Sequence, residues 1–550
     1  MPKRLFTVLI LLFITSRSIA TSVADTSSVF SIPTIRKNIY ASDYSNGIAA
    51  ALEYFKKDSI DKGITLLYQS LVSADAGKNI LKANGYHFQE IFSLAGLASR
   101  KELSKEETVL VRHFFRQIFS NTSVPETAIF ARFCKEHPNS VVGKRIDLFA
   151  STFESPKTLS VKINRFLNSH PTILNIRVLK GELQLQQGKY AECIDSFSEI
   201  IKESPQYSYG YNVRAVSNLQ LKNYDSSIAD FKQALAISPD FLQVTLNLAN
   251  TLMDLEKYEE AALHFNNLIL KLPQYQPGYY NLSKCYYYLD KPDSALKYIN
   301  EYILSNLDEA RAHDFRGEIY YDMDKYPEAI NNYSYAIRLA PQNSYYYNDR
   351  GLAYYYSDKT DEALADFMKS YELNKQSEYT LDKIGDCFYK KNEYEQAINW
   401  YRKALKENPE YKYSLVGLGN IYNHLKKYDL AISSFEKALK IDSTYDSALG
   451  NMGWTYYCAG NYIKSIDYSY KALKYDEEAV YAMFNIPLAT LRSGDFEKAK
   501  QLYEHFISLC KEKNLEINEG AITDLEDLIK EKVFVEESTM ILKTYFNRSY

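Results

Sequence analysis

Tyrosine recurs at a fixed interval in the second half of this 550-residue chain. Tyr287, Tyr321, Tyr355 and Tyr389 lie 34 residues apart, and Tyr457 resumes the register after Asn423 interrupts it. A phenol ring stacks on apolar, planar or sugar groups while its hydroxyl stays hydrated, so the chemistry on offer is recognition. Asn247, Asn281, Asn451 and Asn485 occupy a second register of the same interval, broken at Phe315, Asp349, Lys383 and Gly417. Each amide carries a donor and an acceptor, and a ladder of them can pair with an extended peptide backbone whatever its side chains. A third set is acidic: Asp314, Glu318, Asp322, Asp349, Asp382 and Asp386, offset in part by Lys383 and Lys390. Gathered in one groove, these would favour a basic or mixed-charge partner and speed its encounter. Each set has a plainer reading: rings packed between helices, solvated amides, a solvated charged face.

Bond-breaking chemistry finds little support. The eight histidines are scattered, and none forms the His-Glu-x-x-His pair of a zinc site. No glycine-rich phosphate loop or Gly-x-Ser-x-Gly elbow is present. Asp322 and Asp324 lack the remaining ligands of a calcium loop. The sequence therefore implies no enzyme, cofactor or metal.

The first residues read as a secretory signal. Lys3 and Arg4 precede an apolar run from Leu5 to Ile14, and Ser18-Ile19-Ala20 supplies small residues for cleavage after Ala20. The run is too short to span a bilayer, and no later segment is long and apolar enough. The formal net charge is −4, and cleavage would remove Lys3, Arg4 and Arg17, leaving a more acidic chain. That excludes a nucleic-acid partner, which needs a basic face. Six cysteines invite disulfides in an exported chain, but Cys193 falls where a small core residue is expected. Cys285 and Cys387 stand three repeats apart, so free buried thiols are expected.

The interval belongs to the whole region 174–513, read as ten copies of 34 residues beginning at Leu174. Position 8 of the first nine copies is small: Gly181, Ala215, Ala249, Ser283, Gly317, Gly351, Gly385, Gly419 and Gly453. Position 20 is most often Ala, positions 11, 17 and 24 are mostly aromatic, and position 32 is Pro in five copies. Positions 4, 7, 8 and 11 share one face of a first helix, and 20, 24 and 27 share one face of a second. The small residues let two backbones approach, and the proline stops the second helix. An all-α fold follows: an α-solenoid of helix pairs.

The pattern resembles the tetratricopeptide repeat family. It does so most closely in Leu418-Gly419-x-x-Tyr422 with Ala431-x-x-x-Phe435, and in Ile384-Gly385-x-x-Phe388 with Ala397-x-x-x-Tyr401 and Pro409. The family's Trp near position 4 is absent. The resemblance implies a right-handed superhelix whose first helices line a concave groove, with positions 2, 5, 6, 9, 12 and 13 facing it. The expected partner is a protein or peptide in that groove. The alternative is an envelope glycan stacked on the tyrosine ladder and on Tyr209, Tyr345, Tyr379, Tyr413 and Tyr481 at position 2. Self-association is left open. A bacterial envelope location rests on family habit.

The ends differ from the array. Residues 21–43 read as a flexible leader, 44–173 as divergent helical repeats or a separate small helical domain, and 514–550 as capping helices. Pro487 at position 8 of the tenth copy is expected to kink or break its helix.

Overall fold

The computed structural model describes residues 86–548 except 100, 120–126, 153–154 and 518. The signal segment, the leader and residues 44–85 lie outside the described residues. The regular elements among the described residues are all α-helices, and they pack as successive helix pairs, an all-α solenoid construction. They fall into two compact units, one ending at Ser305 and one beginning at Asn306.

The first unit holds α1 (Tyr86–Ser99), α2 (Lys105–Phe119), α3 (Thr127–Glu136), α4 (Val141–Ser151) and α5 (Pro156–Ser169), then four repeat pairs. These pairs are α6 (Leu174–Gln186) with α7 (Tyr190–Glu203), α8 (Ser208–Gln220) with α9 (Tyr224–Ile237), α10 (Leu242–Asp254) with α11 (Tyr258–Lys271), and α12 (Gln276–Tyr288) with α13 (Pro292–Ser305). One hydrophobic core runs from Leu94 to Cys285, so α1–α5 share it with the repeats. A buried ion pair ties the two parts. Arg145 forks onto Glu90 with both bonds at 2.8 Å, and Asn175 of α6 donates to the same carboxylate at 3.0 Å.

The second unit holds six pairs: α14 (Ala310–Asp322) with α15 (Tyr326–Leu339), α16 (Ser344–Tyr356) with α17 (Thr360–Leu373), α18 (Glu378–Lys390) with α19 (Tyr394–Glu407), α20 (Lys412–His424) with α21 (Tyr428–Ile441), α22 (Asp446–Cys458) with α23 (Tyr462–Tyr475), and α24 (Val480–Arg492) with α25 (Phe496–Glu512). Two further helices, α26 (Gly520–Lys530) and α27 (Val535–Tyr545), pack on α24 and α25 and bury Leu525, Leu528, Ile541 and Leu542.

The pairing has a simple steric origin. Within a repeat, the position-24 ring lies on the small position-8 residue. A methyl added to Gly419 would come within 2.5 Å of Phe435, and one on Gly385 within 2.6 Å of Tyr401. Burying such a ring fully contributes about 1.5–3 kcal/mol, and the missing Cβ is what admits it. The second helices of the first nine repeats end at position 30, so the prolines at 32 fall just beyond, where no helical N–H is missed. The turn between paired helices depends on position 15, which adopts a left-handed backbone in all ten repeats. Gly188, Gly460 and Gly494 do so freely, whereas Lys222, Glu256, Asp290, Asp324, Asp358, Asn392 and Lys426 do so at a steric cost. The next residue then donates its N–H to position 11, as Lys427 does to the Tyr422 carbonyl at 2.8 Å, satisfying an orphan helix-end acceptor.

The expected break at Pro487 does not occur. α24 continues from Val480 to Arg492, and Met483 to Leu491 are buried on every side. Close packing around the helix holds it together where the proline removes one backbone donor. The six cysteines are free thiols, four of them buried.

Candidate functional site

In the second unit, first helices of consecutive repeats touch each other directly, α14 on α16, α18 on α20, α20 on α22 and α22 on α24, and contacts as close are not made between the second helices of consecutive repeats. The first helices thus occupy the inner side of the stack. Their exposed positions form the candidate groove.

The five ladder tyrosines are half-buried and engaged with other rings. In the first unit Tyr287 meets Tyr288 edge-on at 5.3 Å. In the second, Tyr321 packs edge-on against Tyr326 and Tyr356, as Tyr355 does against Tyr356, while Tyr389 is tilted against Tyr394, and Tyr457 stacks on Trp454 and is tilted against Tyr462. Lys390 of the following repeat sits over the Tyr355 ring at 4.6 Å and bonds to Asp358. The rings therefore stitch repeats together as well as lining a surface. A second seam accompanies them. Position 17 of alternate repeats packs on position 13 of the next: Tyr258 on Tyr288, Tyr326 on Tyr356, Tyr394 on His424 and Tyr462 under Arg492. At position 2, Tyr345 and Tyr413 are exposed, whereas Tyr209 is buried with its hydroxyl donating to Glu182 at 2.7 Å.

The asparagines divide by unit. In the first, Asn247 donates to Asn212 at 3.2 Å and accepts from Gln243 at 2.9 Å, while Asn281 donates to Asn250 at 3.3 Å. These amides bridge neighbouring first helices. In the second unit Asn451 is half-buried and Asn485 is buried.

The acidic set separates into two environments. Asp382 and Asp386 share Lys383, whose ammonium lies 3.2 and 2.6 Å away, and Asp386 also accepts from the Tyr401 hydroxyl at 2.7 Å. That charge is met internally. Asp314, Glu318, Asp322 and Asp349 instead line a cavity of about 250 Å³ with Tyr321, Tyr333 and Leu352. Here Asp314 and Asp349, from adjacent first helices, lie within hydrogen-bonding reach of each other. Burial pushes the Asp314 carboxyl up to about 8, and repulsion from Asp349 and Glu318 adds to it. Burial also raises Asp349, to about 7, with repulsion from Glu318 behind it. Two carboxyls so placed share a proton near neutrality. Asp314 Oδ1 is buried and without a hydrogen-bond partner. The walls combine negative charge with ring edges, suited to the ammonium or guanidinium of a long side chain.

Of the six acids grouped from the sequence, Asp314, Glu318, Asp322 and Asp349 meet at this cavity, and Lys383 sets Asp382 and Asp386 apart. The sequence register did not find Tyr333, a core ring whose outer end reaches the cavity. Among the described residues no group of His, Cys, Asp or Glu is arranged to hold a metal ion, and no helix is long and apolar enough to cross a membrane.

Models of the tetratricopeptide repeat match residues 178–240, 218–282, 317–358, 344–377, 385–423 and 413–478. No curated protein matches the chain. Among solved structures, yeast Tom70 is 15% identical, with 77% of this chain and 99% of that one covered and a TM-score of 0.39. Pseudomonas aeruginosa pilF is 19% identical over 38% and 94%, with a TM-score of 0.33. YrrB, described as a TPR protein with an unusual peptide-binding site, is 19% identical over 34% and 95%, with a TM-score of 0.27.

Proposed function

The chain is a tetratricopeptide repeat protein, and from this premise we propose that it is a scaffold that holds an extended peptide segment along its first helices and reads a basic side chain in the Asp314–Asp349 cavity. Repeats of this family bind proteins and peptides. The observation that carries the choice of ligand is the cavity itself, where four carboxylates and two tyrosines meet and no lysine or arginine lines the wall. A lysine or arginine entering it would displace the shared proton and gain charge-assisted hydrogen bonds. The half-buried tyrosines would flank the peptide as rigid apolar contacts. Of the asparagines of the second unit, the half-buried Asn451 is part of this proposal as a backbone contact, whereas the buried Asn485 is not.

An array of extended peptides differing at one central residue tests it. Peptides centred on Lys or Arg are expected to bind the wild-type chain and to lose about tenfold or more against Asp314→Asn/Asp349→Asn, the scale of a charge-assisted contact. Equal retention of Glu-centred and Lys-centred peptides would remove the acidic cavity from the account. Free oligosaccharide added as competitor examines the glycan alternative, for which the exposed Tyr345 and Tyr413 are the relevant rings.

Export belongs to the same proposal, supported by the basic and apolar run before Ala20. Mass spectrometry of the protein from its native source should find a chain beginning at Thr21. An intact first segment would contradict export by this route.

A further inference from the structure

The acid pattern of the cavity recurs in one other repeat, and there it is filled. Position 5 is Asp, position 9 is acidic and position 24 is Tyr in two repeats alone: Asp314, Glu318 and Tyr333 in the fifth, and Asp382, Asp386 and Tyr401 in the seventh. In both, the ring lies on the glycine of position 8, Gly317 or Gly385, so the paired helices meet in the same way. The two repeats differ at position 6. The seventh has Lys383 there, and the fifth has the buried Phe315.

Lys383 shows what this arrangement of acids holds. Its ammonium lies 3.2 Å from Asp382 and 2.6 Å from Asp386, bridging two carboxylates one helical turn apart, while the Tyr401 hydroxyl donates to Asp386 at 2.7 Å. In the fifth repeat position 6 supplies no cation, and the corresponding acids line the cavity of about 250 Å³ together with Asp349 of the next first helix.

Arginine meets acid differently in this chain. Arg145, Arg214 and Arg350 each fork onto both oxygens of one carboxylate, those of Glu90, Asp230 and Asp366. A planar guanidinium is best met by two oxygens presented together. Asp314 cannot present both, because its Oδ1 is buried, which leaves at most one oxygen for an entering group. The Asp349 carboxyl lies within hydrogen-bonding reach of it. Single oxygens from two separate carboxyls suit a compact ammonium, whose three N–H bonds point in different directions.

Resting on the peptide reading above, we propose that the Asp314–Asp349 cavity selects the primary ammonium of a ligand lysine over the guanidinium of an arginine. The ligand lysine takes the place that Lys383 fills from within its own repeat. Asp349 determines the specificity, since it supplies the second carboxyl of the bridge.

The test is calorimetric titration of the full chain, wild type and Asp349→Asn, with extended peptides identical except for a central Lys, Arg, trimethyl-Lys or Glu. Asparagine matches the shape of an aspartic acid, and a circular-dichroism melt confirms that the variant folds. Wild type should bind the Lys peptide about tenfold more tightly than the Arg and trimethyl-Lys peptides, and should reject Glu. Asp349→Asn should bind the Lys and Arg peptides alike. Arg bound as tightly as Lys by wild type, with Glu rejected, would leave the cavity as a cation site and overturn the ammonium preference. Trimethyl-Lys bound as tightly as Lys would overturn it as well, since that cation has no N–H to donate. Discrimination unchanged in Asp349→Asn would remove the role given to Asp349. Equal binding of Lys, Arg and Glu peptides would remove the cavity from peptide recognition, and the lysine preference with it.

Discussion

The ring of Tyr333 lies on the backbone of Gly317, where an added Cβ would come within 2.7 Å of it, and the same tyrosine forms part of the acidic cavity wall. Core packing and candidate site are thus joined through one side chain. Gly317→Ala must push the ring outward, costing about 1–3 kcal/mol as overpacking. Urea denaturation should show that loss, and peptide affinity should fall in the folded variant. Unchanged stability would mean the ring relocates freely and does not shape the cavity.

The proton shared by Asp314 and Asp349 gives a signed pH dependence. Both folded-state values, about 8 and about 7, lie above the ordinary carboxylate range, so the folded chain binds more protons than the unfolded chain between roughly pH 4 and 8. The pair's contribution to stability is fully present at low pH and is lost as pH rises through 7 to 8. Relative to Asp314→Asn/Asp349→Asn, wild type should therefore lose urea resistance between pH 5 and pH 8.5. Ligand binding runs the other way: a cationic side chain needs the ionised pair, so its affinity should rise across the same window. Parallel stability curves for the two proteins would contradict the shared proton.

The left-handed residue at position 15 offers a test confined to the turn. Lys222 is exposed and has φ near 60°, a conformation that glycine adopts without a Cβ clash. Lys222→Gly should stabilise the chain by about 0.5–1 kcal/mol, the αL cost less the extra unfolded-state entropy. Thermal melting reads it. Destabilisation would show that the lysine side chain contributes more than the backbone strain costs.

How far these features are legible in the sequence depends on whether both partners sit in one repeat. Gly419 and Phe435 do, at a spacing that recurs, and their contact reads directly from the pattern. The position-15 turn is half-legible. Gly188, Gly460, Gly494, Asn392 and three aspartates announce it, but Lys222, Glu256 and Lys426 mask it, since packing of the flanking helices overrides their preference. Seams between repeats are harder. Tyr190, Tyr258, Tyr326, Tyr394 and Tyr462 look alike, yet their partners Gln220, Tyr288, Tyr356, His424 and Arg492 are of four different residue types. The acidic set shows the same limit. The sequence groups Asp314, Glu318, Asp322, Asp349, Asp382 and Asp386 with Lys383 as a partial offset, and only the geometry reveals that Lys383 meets Asp382 and Asp386 while the other four share one cavity. Pro487 errs in the opposite direction, because a local helix breaker is overruled by burial on every side.

The most direct test of the central claim is calorimetric titration of an extended lysine-centred peptide into the full chain and into Asp314→Asn/Asp349→Asn, at low and moderate salt and in two buffers of different ionisation enthalpy. The account expects saturable binding to wild type at neutral pH that weakens with salt, releases a proton, and drops about tenfold in the variant. Equal affinity for both proteins, with no proton released, would contradict it.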